Sequence, residues 1–78
     1  MYVLVFYVPQ SHLESVKEAV FSTGAGTMGN YAKCCFQTKG TGQFMPLCGS
    51  SPFLGTEGML AQEEEWRVEL VVDEENAA

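Results

Sequence analysis

The sequence predicts a small α+β domain, because strand-like segments enclose a helical segment and a glycine-rich centre. Residues 2–8 form a continuous apolar run, residues 11–23 repeat apolar side chains at helical spacing, and residues 64–72 alternate apolar with polar side chains. The chain has 78 residues, enough for a single domain over residues 1–78. A domain of this size buries only a small core, so we expect oligomerisation or a missing piece to complete it.

The first strand is predicted over Tyr2–Val8, whose β-branched and aromatic run is typical of a strand buried on both faces or of a central strand. Pro9 ends it, because proline offers no amide to a strand ladder. A helix follows from Ser11, which has capping-box spacing to Glu14. Gly24 stands where glycine commonly ends a helix, since it takes positive φ without penalty. The helical residues expected to face the sheet, or to lie beside that stripe, are Leu13, Val16, Ala19 and Val20.

The residues after the helix, Gly24 to Gly29, match the pattern G-x-G-x-x-G. The nucleotide-binding form of this pattern follows a strand and opens a helix, whereas here a helix precedes and a strand follows. We therefore interpret the segment as a connector and keep a backbone-amide anion site as the alternative. The candidate binding residues are Gly24, Gly26, Gly29 and Asn30.

The second half of the chain is predicted to hold a hairpin and a last strand. Residues 31–37 alternate as a strand, with Ala32, Cys34 and Phe36 on one face, and Thr38–Gly42 has turn composition. Residues 43–47 return as a short edge strand, because Pro46 cannot donate within a ladder. A loop then spans residues 48–58, with Phe53 expected to pack under it. A half-buried strand runs over residues 64–72, and residues 73–75 have the composition of a helix start. The last strand is expected to turn four side chains to the core: Trp66, Val68, Leu70 and Val72.

Charge and cysteine content narrow the class of protein. The formal net charge is −6. Residues 57–78 carry eight acids and one arginine, so the basic footprint of a nucleic-acid-binding protein is lacking. We interpret the acidic end as a solvated face, with a surface for a basic partner as the alternative. The three cysteines do not form the even-numbered framework of a secreted protein, and no signal-peptide pattern is present. No apolar run approaches the ~18 residues of a membrane span. We therefore predict a soluble cytoplasmic protein that binds no membrane.

No arrangement of side chains indicates catalysis or a metal site. His12 is the only histidine, and we interpret it as a solvated residue at the helix start. Cys34, Cys35 and Cys48 lack the paired spacing of a zinc site and are interpreted as small apolar residues in or beside the sheet. The run Glu63–Glu65 cannot place three consecutive carboxylates on one face of a strand. We expect no catalytic residue, no metal ligand and no cofactor, and hence no enzyme.

Several motifs in a fixed order carry a resemblance to a known family. A strand ending in V-P precedes H-L-E-x-V-x-x-A-x-F and G-A-G-x-x-G-N-Y, and then come C-x-F-x-T-x-G-T-G-x-F-x-P, G-x-x-P-F-x-G and E-x-R-V-E. Over nearly all of its length the chain resembles the inserted domain of the Nif-three-like family, a domain similar in shape to PII signalling proteins and CutA. Full-length members hold a dinuclear metal centre in a separate domain, so no metal or catalytic residue is carried over.

The resemblance implies a ferredoxin-like βαββ(αβ) unit with an extra hairpin, whose C-terminal helix and strand are missing or truncated. Their absence would leave Tyr2–Val8 as an open apolar edge, the kind that pairs with another chain. We therefore expect a non-enzymatic, oligomerising or regulatory module that forms a homo-oligomer. The alternative is a small-ligand or metal-ion binding protein that uses the glycine-rich segments Gly24–Asn30 and Thr38–Gly42.

Overall fold

The computed structural model describes residues 1–50 and 55–73, and they form a small α+β unit in which a three-stranded antiparallel sheet carries one α-helix. The predicted α+β class is confirmed. The elements in chain order are β1 (Tyr2–Pro9), a 3-10 helix (Gln10–His12), α1 (Leu13–Phe21), β2 (Phe36–Phe44) and β3 (Ala61–Val72).

The strands lie in the order β1-β3-β2, and β3 pairs antiparallel with both neighbours. In the register, Phe6 stands opposite Val68 and Leu4 opposite Leu70. Residues 2–8 are a strand, as predicted, but the expectation of burial on both faces, or of a central position, is wrong. Among the described residues β1 has one neighbouring strand, and α1 covers only one face of the sheet. Most side chains of β1 are therefore exposed.

The core lies between α1 and one face of the sheet. Val68 at its centre is 0% exposed, and its strand alternates as predicted, although β3 begins three residues earlier, at Ala61. Trp66 is half-buried against this cluster. The fully buried apolar residues are Val8, Leu13, Ala25, Val68, Leu70 and Val72. These residues come from β1, α1, the connector after α1 and β3, so the core joins the helix to two of the three strands.

Helix α1 is entered through the 3-10 helix, and this changes the predicted cap. Ser11 lies inside the 3-10 helix, where its Oγ is 2.8 Å from His12 Nδ1, and no side chain caps α1. The predicted capping box is therefore wrong. Leu13, Val16 and Val20 face the core as expected, whereas Ala19 is exposed. The helix ends at Phe21.

Two residues beyond the helix C-cap, Gly24 takes the predicted positive φ, at 94°. Its amide donates to the Phe21 carbonyl, so the glycine closes the last turn of the helix.

The predicted turn at Thr38–Gly42 is wrong, because these residues form the middle of β2. Thr38 pairs with Arg67 and Gly42 with Glu63, and neither Gly40 nor Gly42 has positive φ. Residues 31–35 precede the strand, and Gln43 and Phe44 finish it, so the predicted return strand over residues 43–47 is wrong as well. Pairing with β3 outweighs the local turn composition.

Two predictions fall wholly or partly outside the described part of the chain. The packing of Phe53 lies outside it. Asp73 follows β3 without regular structure, and residues 74–75 of the expected helix start are not described.

Candidate functional surface

The two faces of the sheet differ in what covers them. Successive strand residues point to opposite sides, so the pairing register assigns one set of side chains to the face away from α1. Val3 is 67% exposed, Tyr7 65% and Phe36 63%. We call this set the open face: Val3, Val5, Tyr7, Phe36, Thr38, Glu65, Arg67, Glu69 and Val71.

One end of the open face is apolar. Val3, Phe36 and Val71 line an open groove of about 370 Å³ together with Met28 and Cys34 from the connector between α1 and β2. Contiguous exposed apolar surface on a small protein marks an interaction site more often than a chance feature. This end of the face is therefore suited to contact with another apolar surface.

The other end of the open face is polar and centres on Arg67, which the register places between Tyr7 and Thr38. Its Nη1 lies 3.2 Å from Glu69 Oε2. The hydrogen bond with Tyr7, and then the negative charge of Glu69, raise the pKa of the Arg67 guanidinium above its ordinary value. The Arg67 guanidinium therefore lies between the Tyr7 hydroxyl and the Glu69 carboxylate.

A recess of about 250 Å³ lies beside Arg67 and Tyr7, where two glycines of β2 leave the sheet without side chains. A Cβ at Gly42 would stand 2.5 Å from Glu65 Oε1, so the Glu65 carboxylate occupies the space that a side chain at this position would take. Nothing lies within 4 Å of a Cβ at Gly40. The recess combines the backbone of β2 with the side chains of Tyr7, Glu65 and Arg67.

Among residues 1–50 and 55–73, β1 is paired on one side only, and its other edge adjoins apolar surface on both sides of the sheet. Strand β1 carries no charged residue, and charge is one of the devices that protect natural sheet edges. On the helix side, a second groove of about 550 Å³ runs between β1 and the end of α1, where Leu4, Val20 and Ala25 are among its lining residues. The edge is therefore continuous with exposed apolar side chains on each face.

The glycine segment predicted as a possible anion site is built into the fold. The Gly26 amide donates to the Val71 carbonyl and its own carbonyl accepts from the Cys34 amide, both at 2.8 Å, while the Gly24 amide is used by the end of the helix. Gly29 and Asn30 form the exposed tip between Met28 and Tyr31, whose backbones exchange two hydrogen bonds. The structure thus places the four candidates in one connector, and ligand binding there stays a prediction.

The cysteines of the described residues form no disulfide. Cys34 and Cys35 are half-buried, Cys48 is exposed, and all three thiols are free. Within residues 1–50 and 55–73, no group of three or more histidine, cysteine, aspartate or glutamate side chains is placed to hold a metal ion. In the same residues, no helix is both long and apolar enough to cross a membrane.

The Tyr7–Arg67 contact and the recess beside it are not among the sites that the sequence predicts. The signal for the contact lies in the two strand patterns, because antiparallel pairing of β1 with β3 brings Tyr7 opposite Arg67. The recess has no such signal, because the turn composition of Thr38–Gly42 does not indicate the strand that forms its floor.

Comparison with known proteins identifies relatives that share one name. No family model matches. The chain is 46% identical over 74 residues to a protein of Halalkalibacterium halodurans named GTP cyclohydrolase 1 type 2 homolog, a match covering 95% of this chain and 20% of that protein. A protein of the same name from Mycobacterium leprae is 48% identical over 67 residues, covering 86% of this chain and 17% of that protein.

A solved structure described as a Bacillus cereus protein related to NIF3 matches with a TM-score of 0.77 and 35% identity. The match covers 95% of this chain and 18% of that one. The chain is therefore similar in sequence and structure to proteins of the Nif-three-like family, and this part of the expected resemblance is confirmed. The chain spans about a fifth of the length of the relatives it matches.

Proposed function

We propose that this chain is a non-catalytic interaction module that works by self-association, and that it corresponds to the inserted PII/CutA-like domain of Nif-three-like proteins. The observation that carries the proposal is the uncovered apolar surface formed by the free β1 edge and the apolar end of the open face. Burying such surface is the dominant favourable term in most protein association. The proposal places the protein in the cytoplasm.

The sheet topology supports the ferredoxin-like part of the proposal. Strands β1 and β2 both run antiparallel to β3, so they are parallel to each other, and α1 connects them along the chain. The first half of a ferredoxin-like unit is a βαββ segment. In it, the third strand lies between the two parallel strands that the helix connects, as β3 does here. The PII/CutA-like assignment extends this layout by the resemblance of the motifs.

The proposal assigns no catalytic residue to the chain. The Arg67 guanidinium contacts Glu69, and the Lys39 ammonium contacts Glu64, so each cation lies beside a carboxylate on the sheet surface. The relatives are named for a cyclohydrolase, but this chain spans about a fifth of them. We place any activity implied by that name outside the matched segment.

Measurement of mass in solution tests self-association directly. We expect light scattering at tens of micromolar chain to give a dimer or larger species, while intact mass spectrometry gives a single full-length chain. A matched pair of variants locates the surface: Val3→Ser on β1 should shift the mass towards the monomer, whereas Leu47→Ser, a similarly exposed apolar residue in the loop after β2, should not. A wild-type monomer at these concentrations would overturn the proposal.

A second candidate function is the binding of a small polar ligand or metal ion in the glycine-rich segments. The recess beside Tyr7 and Arg67, lined by Thr38–Gly42, is the observation that favours it. We expect a ligand of this kind to raise the melting temperature, because a molecule that binds only the folded state stabilises it. A thermal-shift screen with nucleotides, phosphate and divalent cations that moves no transition would exclude this candidate.

A further inference from the structure

We propose that the recess beside Arg67 binds a small zwitterion of the α-amino acid class, with the ligand carboxylate at Arg67 and the ligand ammonium group at Glu65. The inference rests on the second candidate function and narrows it to one class of ligand. It is independent of self-association, because the recess lies over β2 and β3 on the open face. Its volume of about 250 Å³ is below the usual range of drug-sized pockets, so the fitting ligand is a small molecule.

The glycines of β2 provide the space for a ligand. Gly40 stands opposite Glu65 in the register, and Gly42 is the next residue of β2 on the same face. Nothing lies within 4 Å of a Cβ at Gly40, and neither glycine has positive φ. The floor of the recess at Gly40 is therefore bare strand backbone, which a ligand can approach closely.

Opposite charges lie on either side of this floor. Glu65 and Arg67 are two residues apart in β3, so their side chains leave the same face of the sheet about 7 Å apart. The Glu65 carboxylate extends over Gly42, which the register places on the side of Gly40 away from Arg67. The carboxylate and the guanidinium therefore stay apart, with the space above Gly40 between them.

Both charged groups have capacity for further contacts. The Glu65 side chain is half-buried, and within residues 1–50 and 55–73 its carboxylate has neither a hydrogen-bond nor an ion-pair partner. A guanidinium has several N–H donors, of which the contacts with Glu69 and Tyr7 occupy only part. The remaining donors suit a carboxylate, which a guanidinium binds in a fork-shaped geometry.

The local charges favour a zwitterion over a simple ion. A bare anion at Arg67 would meet the carboxylates of Glu65 and Glu69 on either side, in a chain of net charge −6, and would be repelled. A bare cation at Glu65 would meet Arg67. An α-amino acid carries both charges on one carbon and is neutral overall, so it can contact both groups while its side chain lies over Gly40.

Amide chemical shifts, followed by NMR as each ligand is added, test the ligand class. The probes are L-leucine, its methyl ester and N-acetyl-L-leucine. They share one side chain but carry both charges, only the ammonium group and only the carboxylate. Because exposed ionic contacts are individually weak, we expect dissociation constants in the millimolar range. L-leucine should bind at least about threefold more tightly than either blocked analogue, with shifts concentrated at Gly40 and Arg67.

Substitutions with matched controls locate the site. Gly40→Val fills the recess with a residue that favours strands and should abolish binding, whereas Gln43→Val places the same side chain on the opposite face of β2 and should not. Glu65→Gln should make N-acetyl-L-leucine bind as well as L-leucine. Glu64→Gln, on the opposite face of β3, should keep the preference for L-leucine. Circular dichroism verifies the fold of each variant.

The outcomes separate the ligand class from the second candidate function. Equal binding of L-leucine and N-acetyl-L-leucine by the wild type, or binding of inorganic phosphate without L-leucine, would overturn the zwitterion and leave a small anionic ligand standing. Undiminished binding of L-leucine by the Gly40→Val variant would overturn the recess as the site. If neither the leucine probes nor phosphate changes any amide shift, both the inference and the second candidate function are overturned.

Discussion

The two faces of the sheet are built from the same strands, yet one is a protein core and the other is exposed. On the helix-covered face, Val68 is 0% and Leu70 5% exposed, whereas on the open face Val3 is 67% exposed. Strand β1 is apolar on both faces, yet Val8 on the helix side is 4% exposed and Tyr7 on the open face 65%. Tyr2 lies on the helix side as well but is 55% exposed, so α1 covers only the Val8 end of this strand. The apolar residues of β1 that remain exposed are the surface on which the proposed self-association depends.

Strand β3 shows the same contrast in its sequence. From Trp66 to Val72 its helix-side residues are apolar, whereas its open-face residues include Glu65, Arg67 and Glu69. The open face is therefore apolar along β1 and at the Phe36 end, and charged along the middle of β3. This division favours an association that centres on β1, since burying the β3 charges would require partners for them.

The largest expected effect is the removal of a core side chain. Leu70→Ala should lower the free energy of unfolding by about 3 kcal/mol, because it deletes buried apolar atoms and leaves a cavity. Urea denaturation followed by Trp66 fluorescence measures the loss. Val71→Ala, the next residue on the opposite face, is the matched control and should cost about 1 kcal/mol or less. Equal losses would show that both faces contribute alike to the monomer, contrary to the comparison.

Substitutions at two glycines in the connector test whether its close packing against the core contributes to stability. Gly26→Ala should cost about 2–3 kcal/mol, because φ is +80° and the new Cβ would stand 2.8 Å from the Cys34 carbonyl oxygen. Gly29→Ala also has positive φ but open space around it, and should cost about 1 kcal/mol. Thermal denaturation compares the two, and equal shifts would contradict the close approach at Gly26.

A smaller effect is expected at the rim of the helix-covered face. The Trp66 indole Nε1 donates to Gln10 Oε1 and so ties β3 to the 3-10 helix. Gln10→Ala should reduce stability by about 1 kcal/mol through loss of this hydrogen bond. Gln43→Ala removes an exposed amide contact with Gln62, and its loss should be smaller when both variants are unfolded in urea. A Gln10 variant as stable as wild type would exclude a structural role for the contact.

The smallest expected effect lies on the β2 edge. Lys39 forms an ion pair with Glu64 in which both side chains are more than half exposed, and pairs of this kind contribute little. Lys39→Ala should change the free energy of unfolding by less than about 0.5 kcal/mol, and added salt should reduce even that difference. The free energy of unfolding is measured at low and at high salt. A loss several times larger than about 0.5 kcal/mol would contradict the small contribution expected of an exposed ion pair.

Much of the fold followed from local pattern, and the failures have specific causes. The strands of residues 2–8 and 64–72, and the helix facing them with Leu13, Val16 and Val20, were predictable because periodic burial leaves a periodic sequence. The turn predicted at Thr38–Gly42 failed because pairing with Glu63–Arg67 holds these residues extended. The Ser11 cap failed because a 3-10 helix takes up that residue before α1 begins.

The sequence by itself determined the α+β class, the apolar stripe of β3 and the lack of a motif for catalysis. These features were predictable because side-chain periodicity and ligand spacing depend only on residues that are close in sequence. Only the tertiary structure decided that β1 lies at an edge, that Thr38–Gly42 is strand, and that Tyr7 meets Arg67 beside a glycine-floored recess. Those features depend on which distant strands pair and on which face one helix covers, and no local pattern specifies either.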